Sequence, residues 1–428
     1  MSGETPILCP LVHEPPAQFV PCDPRELDPL LAWLAQHEAN DARHEFPRGV
    51  IEEGRLDLCK QALGPEGAQR ILLALESHQG IRSILLGTNA LRDEGARTVG
   101  QAMRRNRNLE TIYLGCNGIT VHGLEPLCAA IEEGAPTTAL WLKRNPIGLP
   151  GAERLAQMLR RPHSLRTLDL VNTGLGDEGA SHVLRAIMTS PQNLERLYLG
   201  GNGLTATSAA VAAELLATTP QITALYLGTN HLHDPGASLI ARGLRANRTI
   251  RELSLAANGL SARGASDLFT ALPGHPALEI VDLGSTPSAK VLGAPPNRID
   301  SDALDSLIRF IETPPNLRVI NLRDNTLDSA TATKILDASE KRLQRVVIHL
   351  EGNPCHRRIR KRAAELARSA PSLPDRKEIR AIRSRVRNEQ RSTHLAPGSP
   401  LLALKKERAP GKPDALLCES LKDEKQLT

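Results

Sequence analysis

Four ring-bearing residues recur at a fixed pitch in this sequence: Tyr113 and Trp141 are 28 residues apart, Trp141 and Tyr198 are 57, and Tyr198 and Tyr226 are again 28. Rings with one polar handle do recognition chemistry, since each offers a large apolar area and a hydrogen-bonding atom to a partner. Lys143 stands two residues past Trp141, and Asp169 falls at the same pitch between Trp141 and Tyr198. The set is therefore amphiphilic, which suits a protein surface or an extended peptide better than a lipid. Reactive chemistry has no comparable signal. The sequence holds no Gly-rich phosphate loop, paired-carboxylate motif or Ser-centred elbow. Its seven cysteines lack metal-site spacing, and His231-x-His233 and Cys355-His356 are too sparse to build four ligands locally. The expectation is a binding protein rather than an enzyme, with no cofactor and no metal.

A common pitch needs a common scaffold. The string L-x-L-x-x-N-x-L recurs with anchors at Asn89, Asn117, Asn145, Asn202, Asn230 and Asn258, and the same register reaches Gln61, Thr173, Asn297, Asn325 and Asn353, eleven units in all. The ninth unit is stretched by eleven residues, Thr286 to Pro296. The L-x-L alternation has period two, so its apolar pair points to one face of a short strand and the residue between them to the other. Those middle residues read Asp57, Leu85, Tyr113, Trp141, Asp169, Tyr198, Tyr226, Ser254, Asp282, Asn321 and His349. They include four of the nine aromatics, where random scatter places about 0.2. Two readings stay open: the rings stack on one another for stability, or they form a contact stripe for a partner. The next outward position, Gly115, Lys143, Val171, Gly200 and Gly228, predicts an open floor beside three of the rings. An open stripe predicts that Trp141→Ala and Tyr198→Ala leave thermal stability nearly unchanged.

Each repeat position has a physical job. After the strand the chain turns inside the stack, where backbone groups cannot reach water, and an Asn amide offers them both donors and acceptors. Six residues past the anchor comes Gly, at 67, 95, 123, 151, 179, 236 and 264, usually followed by Ala and an apolar pattern of helical spacing. The small pair predicts a helix packed closely on the strand behind it.

These units resemble the leucine-rich repeat, and the 28-residue period with its Gly-Ala pair is similar to the ribonuclease-inhibitor-like class, found also in Ran GTPase-activating protein and in the C-terminal halves of NOD-like receptors. The resemblance covers roughly residues 55 to 365. It implies an α/β horseshoe solenoid of eleven repeats, with parallel strands lining the concave side and helices on the convex side. It also implies a noncatalytic interaction module that holds a protein partner on the concave face, through Tyr113, Trp141, Lys143, Asp169, Tyr198 and Tyr226. The alternatives it carries are a regulator of an enzyme, GTPase-activating or inhibitor-like, and a bacterial effector delivered into a host cell.

A solenoid needs capped ends. Residues 1–50 read as an N-terminal segment with a capping helix: Asp23-Pro24-Arg25-Glu26 starts it, and Leu27, Leu30, Leu31 and Leu34 form its buried stripe. Residues 51–355 hold the repeats. Residues 356–428 read as a basic C-terminal cap and loose tail, with Ile359, Ala363 and Leu366 over the last unit and a second short helix carrying Ile379, Ile382 and Val386 on one side.

Composition sets the outer bounds. The chain has 428 residues, 40% apolar, 24% charged and only 2% aromatic, with a net charge of +5, so it is a folded protein whose core is built from Leu, Ile, Val and Ala. No window is apolar enough for a membrane span, and the start lacks a signal-peptide pattern. With an odd number of cysteines and no paired spacing this predicts a reducing cytoplasm, and the Ala, Arg, Gly and Pro usage points to a GC-rich bacterial gene. Charge is unevenly divided: residues 356–391 carry 13 basic and 4 acidic side chains. Such a block fits a solvated capping helix, contact with nucleic acid or an anionic membrane, or an acidic protein partner; it has no aromatic for stacking on bases. The Thr286–Pro296 insertion fits either a binding edge or drift in a tolerant loop.

Overall fold

The computed structural model describes residues 7–8, 19–36, 42–189, 193–285, 287–369, 382 and 384. An antiparallel pair, β1 (His44–Glu45) and β2 (Val50–Glu52), leads into eleven parallel strands. These are β3 (Arg55–Asp57), β4 (Ser83–Leu85), β5 (Thr111–Tyr113), β6 (Ala139–Trp141), β7 (Thr167–Asp169), β8 (Arg196–Tyr198), β9 (Ala224–Tyr226), β10 (Glu252–Ser254), β11 (Ile280–Asp282), β12 (Val319–Asn321) and β13 (Val347–His349). All lie in one open sheet in sequence order, and each parallel pair keeps the repeat register, Tyr113 opposite Trp141 and Tyr198 opposite Tyr226. A helix follows each repeat strand on the other side, such as Arg92–Arg105 after β4 and Val121–Glu132 after β5. This is the α/β solenoid expected of the repeats.

The period-two alternation sorts the side chains as predicted. Leu56, Leu58, Ile84, Leu86, Ile112, Leu114, Leu140 and Leu142 are fully buried in one core with helix residues such as Val99, Leu127 and Leu155. Beneath the turns runs a ladder of Asn amides. Asn89 donates from Nδ2 to the carbonyls of Leu58 (2.8 Å) and Leu86 (2.9 Å), and its Oδ1 accepts from the amides of Gln61 (2.9 Å) and Leu63 (3.3 Å). Asn117 repeats the pattern one unit on, and Asn202, Asn230 and Asn258 continue it. At Thr173 the rung is thinner: its hydroxyl reaches the Leu170 carbonyl, and Ile147 N–H turns instead to the Asn145 carbonyl. The residue before the anchor is left-handed in most units, including Thr88, Cys116, Arg144, Thr229 and Ala257 at φ between 49° and 62°. In a non-glycine this conformation costs roughly 1–2 kcal/mol, so the ladder holds strained turns in place.

At Gly123 and Gly264 the small residue past the anchor does a different job from the one its position suggests. A Cβ on Gly123 would stand 2.8 Å from the Asp93 Cα, and one on Gly264 3.0 Å from the Asp234 Cα. The helix thus packs closely on the start of the helix in the preceding repeat, rather than on its own strand. The same aspartates cap their neighbours: Asp93 accepts from the Thr120 amide (2.7 Å) and hydroxyl (2.7 Å), and Asp234 does so from Ser261.

The N-terminal cap begins as read. Asp23 accepts from the Arg25 amide, a 3-10 turn at Pro24–Leu27 runs into the helix Asp28–Gln36, and Leu27, Leu30 and Leu34 are buried while Leu31 is half-buried. The β1–β2 hairpin beyond it was not anticipated; two- and three-residue strands are too short to show a period. At the other end the helix Arg357–Ser369 buries Ala363, with Ile359 and Leu366 partly covered, and Arg362 pairs with Asp337 (2.7 Å) and Glu340 (2.5 Å). The second short helix lies outside the described residues except for Ile382 and Ser384.

Two segments cover the edge where strands hand over to turns. Leu8 N–H donates to Asn172 Oδ1 (2.6 Å), and Ile7 packs with Ala90, Cys116 and Phe19. The insertion folds into a short helix, Pro287–Val291, and places Leu292 against Gly201 and Pro295 against Gly259, burying Ala289, Leu292 and Ala294. Most of its apolar side chains are spent on the solenoid's own turns.

Candidate functional site on the concave sheet

The last residues of β3 to β13, the middle of each L-x-L, line one face, as the alternation requires, and that face divides by chemistry. Between β5 and β9 it carries the four rings, on β5, β6, β8 and β9. Trp141 and Tyr198 pack at 5.3 Å between ring centroids, tilted by 43°, and Tyr198 stacks on Tyr226 at 4.2 Å and 2°. Tyr198 and Tyr226 stand in register on neighbouring strands about 4.8 Å apart, so their stacking follows from the pitch, whereas Trp141 and Tyr198 stand two strands apart and meet across β7. Lys143 Nζ sits 5.6 Å from the Tyr113 ring centroid, a cation over a ring face.

The open stripe expected from the sequence is closed. Tyr113, Trp141, Lys143, Asp169 and Tyr198 are 6%, 1%, 6%, 2% and 5% exposed, and only Tyr226 is half-buried. The rings belong to a second apolar cluster with Cys59, Leu85, Ala139 and, from far along the chain, Ile382, itself fully buried. The glycine floor is also filled: a Cβ on Gly87 would meet Tyr113 Cε1 at 2.4 Å and one on Gly115 the Tyr113 hydroxyl at 2.9 Å. The Tyr113 ring lies back on bare backbone that no side chain other than hydrogen would leave clear.

From β8 onward the same face turns polar. Glu252 on β10 accepts from Arg196 Nη2 on β8 (2.7 Å) and from the Tyr226 hydroxyl on β9, tying three strands together. Ser254 Oγ donates to Asp282 Oδ2 (3.1 Å), and Arg323 reaches Glu351 (2.7 Å) and His349 Nδ1 (3.2 Å). Burial first, then the Arg323 guanidinium, push His349 down to about 4, so it is neutral at neutral pH. Sequence reasoning missed Arg196 and Glu252, although period two puts the residues two before Tyr198 and Ser254 on the same face as them; Ile382 carried no such signal as a member of this face.

Asp169 is the electrostatic oddity of the aromatic half. Burial raises its carboxyl from 3.8 to about 6, with Lys143, the Val171 amide and Arg144 holding it back from going higher. The folded chain therefore keeps this proton at pH values where the unfolded chain has released it. That contribution to stability is complete below about pH 4 and is lost as pH rises through 6, a swing of up to about 3 kcal/mol. Asp169→Asn keeps the acceptor for the Val171 amide (2.8 Å). It should gain on the parent between pH 4 and 6 in urea unfolding and hold that gain at pH 8; an equal difference at both ends would show that Asp169 keeps an ordinary pKa.

Among the described residues no group of histidines, cysteines and carboxylates is arranged to hold a metal ion, and no helix is long and apolar enough to cross a membrane. The five described cysteines, Cys22, Cys59, Cys116, Cys128 and Cys355, are buried.

Three stretches, residues 105–128, 161–183 and 246–269, match the leucine-rich repeat family, and each spans one strand, its turn and the helix that follows. No curated protein matches the chain. Among solved structures, the leucine-rich repeat-containing protein LegL7 from Legionella pneumophila is 15% identical at a TM-score of 0.44, over 75% of this chain and 99% of its own. The Rad7 and Elc1 complex from yeast is 15% identical at 0.41, over 70% of this chain and 83% of that one. The TLR13–ssRNA13 complex is 16% identical at 0.39, over 65% of this chain and 36% of that one. Eleven register-matched strands with a helix behind each, three of the units matching by sequence, give this chain the α/β leucine-rich-repeat solenoid fold.

Proposed function

We propose that the chain is a noncatalytic interaction scaffold whose concave face holds a protein partner, with Tyr113, Trp141, Lys143, Asp169, Tyr198 and Tyr226 at its centre. The observation that carries this reading is the run of stacked rings on a rigid sheet, Trp141 to Tyr198 to Tyr226, continued by the Arg196–Glu252 pair. Rigid aromatics beside a paired charge are what interface hot spots are made of, and a solenoid offers them along an extended surface. We read the repeats as ribonuclease-inhibitor-like, supported by the 28-residue register and the helix of nine to fourteen residues behind most strands. The seven cysteines, an odd number without paired spacing, favour a reducing cytoplasm. For the basic end, the ion pairs of Arg362 favour the capping role over phosphate binding, since they spend its charge within the fold.

Tyr226 is the ring a partner can reach first. Tyr226→Ala should weaken partner binding by about 30-fold, near 2 kcal/mol, while Leu73→Ala on the convex side, 52% exposed, leaves it unchanged. Calorimetric titration of the captured partner against both variants checks this, and equal affinity for Tyr226→Ala and parent would remove the concave face from the account.

A further inference from the structure

Ile382 is the anomaly of the concave face. It stands thirteen residues past the end of the last described helix, at Ser369, yet it is fully buried among Cys59, Leu85, Tyr113, Ala139, Trp141 and Tyr198, side chains of β3 to β8 and the turns after them. The geometry permits this within one chain. From β13 back to β6 is seven strand spacings, about 34 Å along the sheet, and thirteen extended residues span up to about 43 Å. Charge favours it as well. Residues 356–391 carry 13 basic against 4 acidic side chains, while residues 1–355 are net negative, with 34 basic and 39 acidic.

The fit is incomplete in an informative way. Trp141 Nε1 and Thr167 Oγ1 are both buried on this face without a hydrogen-bond partner among the described residues. The aliphatic side chain seated here fills space but cannot accept a hydrogen bond from an indole N–H. A ligand that brought a carbonyl along with its aliphatic group would satisfy both demands of the pocket.

We propose that the pocket of Tyr113, Trp141 and Tyr198 is occupied in cis by the chain's own basic C-terminal segment through Ile382, and that the protein partner enters by displacing it with an extended strand bearing a branched aliphatic side chain and a carbonyl acceptor for Trp141. This rests on the concave face being the recognition surface, and it adds what holds that surface closed and what chemistry opens it. The partner's apparent affinity is reduced by the fraction of chains in which Ile382 is seated.

The test uses the full chain in a Trp33→Phe background, which leaves Trp141 as the lone tryptophan. Ile382→Asp should shift Trp141 emission to the red and raise its quenching by acrylamide several-fold, with the circular dichroism of the repeats unchanged; Ile382→Ser serves as a milder second variant. A labelled peptide of residues 375–391 should bind the Ile382→Asp chain at least tenfold more tightly than the chain with Ile382 intact, more weakly as salt rises, and not at all when the peptide carries the same Asp. Unmoved Trp141 emission in both variants overturns occupancy in cis while leaving the Tyr226 test of the concave face standing. Equal peptide binding to the two chains overturns the competition, even if Tyr226→Ala still weakens the partner.

Discussion

Asn117→Ala is expected to cost about 2 kcal/mol or more and to break the cooperative unfolding of the array into two steps. The side chain is fully buried, and its Nδ2 donates to the carbonyls of Leu86 (3.0 Å) and Leu114 (2.9 Å). Its Oδ1 accepts from the amides of Asn89 (2.9 Å) and, more loosely, Leu91 (3.4 Å). Alanine orphans the Asn89 and Leu91 amides inside the stack, at about 1–3 kcal/mol for each buried group left unmet, while the two carbonyls keep Asn89 Nδ2 (2.9 Å) and Asn145 Nδ2 (3.0 Å). It also releases the left-handed turn at Cys116, which the ladder holds. Because a solenoid's stability is a sum over units and their interfaces, the deficit falls on the second and third repeats, and the eight beyond them keep their own contacts. Urea unfolding should show an early transition for the N-terminal units, and hydrogen exchange should speed at Asn89 and Leu91. The rung at Thr173 supplies a control: its hydroxyl reaches the Leu170 carbonyl at 2.8 Å, so Asn117→Thr keeps one donated bond and should lose less than the alanine variant. A loss under about 1 kcal/mol for Asn117→Ala would mean that water reaches these turns and that the ladder is not what holds them.

The ladder was legible in the sequence because its partners stand within a repeat or one repeat apart, and the same period that reveals the unit also reveals the contact. The direction of each strand residue was legible for the same reason, since period two sends Leu197 and Leu199 inward and Tyr198 to the other face. Exposure of the rings was not. It depends on Ile382, which lies 241 residues from Trp141 and belongs to no repeat, so no periodicity links the two. The covering of the turns by Ile7, Phe19 and Leu292 escaped for a related reason: single apolar side chains in irregular segments announce burial without saying against what. The Gly at 123 and 264 was legible as a close approach and misread as to its neighbour, because a Gly-Ala pair reports that something is near but not which element it is.

Trp141→Ala, which an open stripe would render nearly neutral, is expected instead to cost about 3–5 kcal/mol, the range for deleting a large aromatic from a packed interior. The ring is 1% exposed, lies 5.3 Å from Tyr198, and shares its cluster with Leu85, Ala139 and Ile382, so its removal opens a cavity that a short-stranded sheet cannot collapse to fill. Trp141→Phe separates the two parts of that effect. Phenylalanine keeps most of the apolar area and discards the indole N–H, which has no partner among the described residues. Losing that group removes a desolvated donor rather than a bond, so the variant should cost under about 1.5 kcal/mol. Combining Trp141→Ala with Ile382→Ala closes a double-mutant cycle in which a coupling of about 1 kcal/mol or more is expected if the two side chains support each other. Strict additivity together with a near-neutral Trp141→Ala would place the ring in solvent and restore the open stripe as the surface a partner meets.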